Sequence, residues 1–138
     1  MATEAANPIT RNLARSILLF AACVVAGTVC AQGYPRRPVT LIVPFPPGAA
    51  TDILGRTAGR RMGELLGQQF VILNRDGAAG VIGTEIVAKA APDGYTLLWG
   101  SASALAILPA LGQKLPFDPQ RDLAPISLGA KIAYILVV

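Results

Sequence analysis

Between Val39 and Leu108, a short apolar run gives way three times to a loop of very small residues and then to a segment of helical character. No other feature restricts the fold so strongly. A strand that leads into a helix before the next strand makes a crossover connection. Repeated crossovers build a parallel sheet with helices on its faces, the α/β class. The runs are 39–43, 70–73 and 95–99. The first, VTLIV, is almost wholly apolar and rich in branched residues, as in a strand buried on both faces. Helices are expected over 51–66, over 81–90 and in a short stretch that reaches Leu108, before Pro109.

In the first helix, Leu54, Ala58, Met62, Leu65 and Leu66 fall on one side, and Arg56, Arg60 and Glu64 fall elsewhere. Gly67 is well placed to end it. Gly55, Gly59 and Gly63 recur at four-residue spacing, and each costs about 1 kcal/mol of helix propensity relative to alanine. Arg56, Arg60 and Arg61 exclude burial in lipid, so close packing on the sheet is the expected compensation. Residues 126–138 are expected to hold one or two strands. The chain stops there without a turn or cap, and it reads as the first part of a longer protein.

Residues 1–31 have a different character. Arg11 and Arg15 give a positive lead, 17–29 is a near-continuous apolar stretch, and Val29-Cys30-Ala31 offers small residues for cleavage. This pattern predicts a signal peptide over 1–31, cut after Ala31, and a periplasmic product of 32–138. An uncleaved anchor would need roughly 20 apolar residues, more than this run supplies. Lipid attachment at Cys23 or Cys30 is the third option, although neither has the Leu-small-small approach. Both cysteines lie within the segment, so a product cut after Ala31 has no disulfide, thiol nucleophile or cysteine metal site. It keeps ten Lys/Arg against seven Asp/Glu, a net charge of +3 once Arg11, Arg15 and Glu4 are removed. The basic residues are scattered, without the stripe and stacking aromatics that nucleic acid requires. At 53 % hydrophobic and 14 % charged, the chain is far too apolar to be disordered.

The chain contains no histidine. That removes the usual catalytic triads, histidine metal sites and histidine acid–base chemistry. Ser101 and Ser103 follow a strand, but Gly100-Ser101-Ala102-Ser103 is not a Gly-x-Ser-x-Gly elbow, and loop polarity accounts for both. No spacing compels Asp52, Asp76 and Glu85 to pair, and helix capping by Thr51 or Asp52 accounts for the first. In open parallel sheets ligands gather beyond the carboxyl ends of the strands, and all three loops there are built of small residues. Two explanations stand side by side: compact turns, or a main-chain site for a small carboxylate or phosphate.

Three stretches, YPRRPVTLIVPFPPGAATD, VILNRDGAAGVIGTEIVAKAAPDGYTLLWGS and KLPFDPQRDLAPISL, closely resemble the Bug (TctC-like) family in order and spacing. These are periplasmic solute-binding proteins of tripartite tricarboxylate transporters, and the resemblance runs from Tyr34 to the last residue. It implies a type II periplasmic-binding-protein fold of two lobes, of which 32–138 would be the first, incomplete lobe. It also implies a monomer without enzymatic activity, cofactor or metal. Such a protein captures a small carboxylate (a di- or tricarboxylate, an acidic amino acid or an aromatic acid) and hands it to membrane transport subunits.

The family's ligand-holding loops match Pro47, Gly48, Ala49, Ala50, Thr51 and Asp52, then Gly77, Ala78, Ala79 and Gly80, then Ser101, Ala102 and Ser103. Ala49 stands where the family often has a second glycine, and Val81 stands where it commonly has asparagine. Ala104, Leu105 and Leu108 replace its Thr, His and Asn. These departures imply a less polar pocket, suited to a carboxylate with an apolar body, or relaxed constraint in a truncated gene. Outside the solute-binding class, the alternatives are a sensing lobe that presents ligand to a signalling partner and, disfavoured by the missing histidine, an α/β hydrolase.

Overall fold

The structure is a computed structural model that describes residues 33–131. The expected signal peptide and residues 132–138 lie outside the described residues. All of the fold below belongs to the compact unit that begins at Pro35.

Strand β1, Val39–Val43, is the centre of a three-stranded parallel sheet, with β2, Phe70–Asn74, on one side and β3, Thr96–Leu98, on the other. Register pairs Val39 with Phe70 through Val43 with Asn74, and Thr40 with Thr96 through Ile42 with Leu98. A central strand needs apolar residues on both faces, and Val39, Leu41, Ile42 and Val43 are all buried. The order 2-1-3 sends the first crossover to one side of β1 and the second back across it. Right-handed crossovers then place helix α1, Ala50–Leu66, and helix α2, Val81–Ala88, on opposite faces. Side-chain parity agrees: α1 approaches Leu41, Val43 and Ile72, whereas Gly83 of α2 sits on Pro44.

Helix α1 packs through its glycines. Its buried residues are Asp52, Gly55 and Gly59, while Leu54, Leu65 and Leu66 are exposed. The close packing on the sheet expected of the glycines is found at Gly55 and Gly59, and Leu54, Leu65 and Leu66 of the apolar side face away from it. A Cβ on Gly59 would lie 2.8 Å from Ile72 Cδ1, and one on Gly55 would lie 3.0 Å from Val43 Cγ2. With side chains removed from that stripe, backbone meets sheet directly, and the leucines are turned outward. The helix ends at Gly67, whose amide donates to the Gly63 carbonyl at 3.0 Å.

Beyond β3 the helical stretch runs further than expected. A wide turn over Ser103–Ile107, with the Leu108 amide donating to the Ser103 carbonyl, continues into a short helix, Leu108–Ala110. Pro109 falls in the first turn of that helix, where no donor of its own is needed. Residues 126–131 form no strand, so their part of the expected β region is corrected. They run past the indole of Trp99, where a Cβ on Gly129 would lie 2.5 Å from the ring. At the other end, the Arg36 amide donates to Tyr95 Oη at 3.0 Å, and the Arg37 guanidinium lies 4.0 Å from the centre of the Tyr95 ring. The entry to β1 is thereby tied to the entry to β3. Among the described residues, no helix is long and apolar enough to cross a membrane.

Candidate functional site

The three loops at the carboxyl ends of the strands meet. In the first, Pro44 is fully buried, Pro46 and Pro47 are exposed, and the chain enters α1 through Ala49 in extended conformation. Ala49 is the residue that precedes the helix, and it has no side-chain cap. Neither Thr51 nor Asp52 occupies that position, so the expected cap takes another form. Asp52, in the first turn, reaches back so that its Oδ2 accepts from the Gly48 amide at 2.9 Å. The same oxygen accepts from Arg56 Nε at 2.9 Å, and Oδ1 accepts from Asn74 Nδ2 at 2.8 Å. Asn74 also donates to the Phe45 carbonyl at 2.9 Å, and its Oδ1 accepts from Arg56 Nη2 at 2.8 Å.

The Asp52 side chain is 3 % exposed and fully engaged inside the loop. The Arg56 hydrogen bond, then the Gly48 amide, then Asn74, lower its carboxyl from 3.8 to about 2. It is ionised at neutral pH, and Arg56 balances its charge. The amides of Ala50, Thr51 and Asp52 are left without backbone partners, as the first turn of any helix leaves them. They sit at the positive end of the helix dipole. The Thr51 hydroxyl is half-buried, with no hydrogen-bond partner among the described residues.

The second loop is strained. Residues 77–80 all have positive φ, at 124°, 47°, 55° and 94°, although Ala78 and Ala79 carry side chains. An L-residue in the left-handed region costs roughly 1–2 kcal/mol, so the turn must be held from outside. The Gly80 amide donates to the Gly77 carbonyl at 3.0 Å. Buried Thr84 donates from Oγ1 to the Gly80 carbonyl at 2.7 Å. From the third loop, Ser103 Oγ donates to the Ala79 carbonyl at 2.9 Å and lies 2.9 Å from Ser101 Oγ. The two serines thus fix the neighbouring loop, a role beyond the loop polarity expected of them.

A Cβ on Gly80 would lie 3.2 Å from Ser101 Oγ and 3.5 Å from Pro44 Cβ. The three loops converge there, between the ends of β1 and β3, where the direction of winding reverses. Such switch points open a crevice in doubly wound sheets. Of the thirteen expected site residues, Asp52 and Gly80 are buried. Ala49, Thr51, Gly77, Ser101 and Ser103 are half-buried, and Pro47, Gly48, Ala50, Ala78, Ala79 and Ala102 are exposed. Ala104 is wholly buried beside Gly80 and lines no open surface. Asn74, Arg56, Pro44 and Thr84 were not among the expected residues. Only Asn74 carried a signal, as a polar residue of low strand propensity at the end of an apolar run. A separate groove of about 580 Å³ lies away from the loops, between α1 and the open edge of β2, lined in part by Arg56, Arg60, Phe70 and Ile72. Among the described residues, no cluster of acidic or cysteine side chains is suited to a metal ion.

Known proteins resemble this chain in sequence and in fold. BugT of Bordetella pertussis is 45 % identical over 130 residues, covering 94 % of this chain and 40 % of that protein. The UPF0065 protein encoded between tcbD and tcbE in Pseudomonas sp. is 43 % identical over 107 residues, covering 78 % and 32 % of the two chains. Among solved structures, MatC from Rhodopseudomonas palustris with bound malate is 40 % identical, with a TM-score of 0.61. It matches over 64 % of this chain and 30 % of its own. A structure described as a periplasmic transporter is 45 % identical, with a TM-score of 0.60 over 63 % of this chain and 29 % of its own. The chain therefore spans well under half the length of the relatives it matches, and its sheet corresponds to part of a periplasmic binding protein, a single lobe. The sequence profile of the tripartite tricarboxylate transporter family receptor, TctC, matches residues 54–138. This chain belongs to the TctC family of tripartite tricarboxylate transporter receptors.

Proposed function

We propose that the chain forms one wall of a carboxylate site in an exported solute-binding protein, which delivers its ligand to the membrane subunits of a tripartite carrier. The observation that carries this is the meeting of three small-residue loops at the switch point, beside the unpaired first-turn amides of α1. An anion placed there accepts from main chain at the positive end of a helix. Thr51 offers a hydroxyl proton, Ser101 and Ser103 spend theirs on fixing the second loop, and Pro47, Gly48, Ala49, Ala50, Gly77, Ala78, Ala79, Gly80 and Ala102 keep bulky side chains away from the ligand. Asp52 serves the site from within, by shaping the loop. The malate-bound relative, similar in fold and 40 % identical, supports a carboxylate over a phosphate. This chain's membership of a transport receptor family and its signal-like leader support a periplasmic location.

The ligand's body is the finer question. Val81, Leu105 and Leu108 are half-buried around the loops, where the family pattern is more polar, and this favours a carboxylate with an apolar body. Calorimetry of the 138-residue chain with benzoate, malate and citrate tests both parts. Binding of at least one is expected, with benzoate above citrate. Preferential citrate binding would overturn the apolar preference, and no heat with any of the three would overturn the site.

A further inference from the structure

The side-chain cluster beneath the first loop does more than the proposed anion contacts require. Asn74 closes one strand and reaches three parts of the neighbouring connection at once: the Phe45 carbonyl, the Asp52 carboxylate and the Arg56 guanidinium. Asp52 in turn holds the Gly48 amide. A chain of hydrogen bonds therefore runs from the end of β2, through a buried carboxylate, to the turn from which α1 presents its free amides. Each bond to Asp52 is charge-assisted, the strong kind. Nothing in Asn74 points to ligand contact, since the bonds to Phe45, Asp52 and Arg56 spend both its amide nitrogen and its oxygen.

We propose that Asn74 is a positioning residue for ligand capture, which sets the first loop and the α1 amides in binding geometry before a carboxylate arrives. This rests on the carboxylate reading of the site. A preformed loop spares the ligand the ordering cost that binding otherwise carries. The charged groups in contact with position 74 are Asp52 and Arg56, and together they are neutral. An incoming anion thus meets no net negative charge from the loop's own carboxylate.

Three forms of the 138-residue chain decide it: wild type, Asn74→Ala and Asn74→Asp. The measurements are calorimetric affinity for malate and benzoate and hydrogen exchange at the Gly48 amide without ligand. Asn74→Ala should weaken affinity by roughly ten- to hundred-fold, the loss expected for hydrogen bonds to a charged group, and should speed Gly48 exchange. Asn74→Asp keeps the shape but sets a second carboxylate against Asp52. Like charges so close raise one pKa, so a proton gained on acidification relieves the repulsion and restores one of the two missing donors. Its affinity relative to wild type should therefore recover as pH falls from about 8 to about 5, a response that a merely structural role would not produce. Taking the ratio to wild type cancels titration of the ligand itself. If Asn74→Ala does not fold, the isosteric aspartate variant carries the test alone. Wild-type affinity with unchanged Gly48 exchange in the variants overturns the proposal. If wild type binds neither probe, the carboxylate reading fails, and Gly48 exchange still decides whether Asn74 orders the loop.

Discussion

Two residues show how far local chemistry is bent to hold these loops. Ala79 has φ of 55°, in a region that L-residues avoid. Replacing it with glycine removes that strain, roughly 1–2 kcal/mol, and restores some freedom to the unfolded chain, about 0.4–1 kcal/mol. Ala79→Gly should thus raise stability by up to about 1.5 kcal/mol, read as a higher urea midpoint at unchanged slope. A lower midpoint would mean that the alanine methyl packs where the structure shows it exposed. Asp52 acts through charge. Its pKa is depressed to about 2, so the stability it contributes is complete above the ordinary value near 3.8 and is lost as pH falls towards 2. Wild type should lose stability across that window, and Asp52→Asn should be less stable at neutral pH but show a shallower acid slope. Asp122, held low by Arg121, supplies part of the slope that remains. Acid titration of the unfolding midpoint in both proteins checks this.

At the scale of elements, the sheet and its helices were legible because apolar runs, small loops and crossovers leave few alternatives. The three strands appear where they were expected, within a residue at each end, and α1 starts one residue early. The packing face of α1 was legible in its glycine spacing, which pointed to close packing on the sheet, and not in its leucines. Periodicity marked Leu54, Leu65 and Leu66, but contact with the sheet goes through Gly55 and Gly59, and hydrophobicity does not register a residue that packs by having no side chain. Nor did sequence separate Asp52 as a ligand contact from Asp52 as a buried brace, because its partner Asn74 lies 22 residues away. The same glycines distinguish flexible from rigid contact. A methyl at Gly59 meets the tip of Ile72, which can turn aside, whereas one at Gly83 meets the Arg75 carbonyl at 2.6 Å and Pro44 Cβ at 2.8 Å. Gly59→Ala gains about 1 kcal/mol of helix propensity against the strain, so its net loss should stay near 1 kcal/mol. Gly83→Ala pushes on backbone and ring, and should cost at least the roughly 1–3 kcal/mol of an overpacked core. Thermal unfolding of the two variants should rank them in that order.

On the scale of the whole molecule, the proposed site has one wall in these loops. Ala50, Ala78, Ala79 and Ala102 face solvent, so a carboxylate held there keeps much of its own surface in water. Binding pockets for small ligands typically bury 70–90 % or more of the ligand surface, and each 1.4 kcal/mol of lost contact weakens affinity about tenfold. The relatives are longer: this chain covers 40 % of BugT. A chimera that joins this chain to the part of BugT beyond the matched region would supply residues able to face the loops. It should bind its best carboxylate at least about a hundredfold more tightly than the 138-residue chain, as expected for about 3 kcal/mol of added contact. The gain should vanish when the loop is blocked by a bulky residue, as in Ala50→Trp, which leaves the fold intact because Ala50 is exposed. Equal affinity in chain and chimera would place the whole binding energy in these three loops. Tight binding by the Ala50→Trp chimera would place the site elsewhere on the molecule.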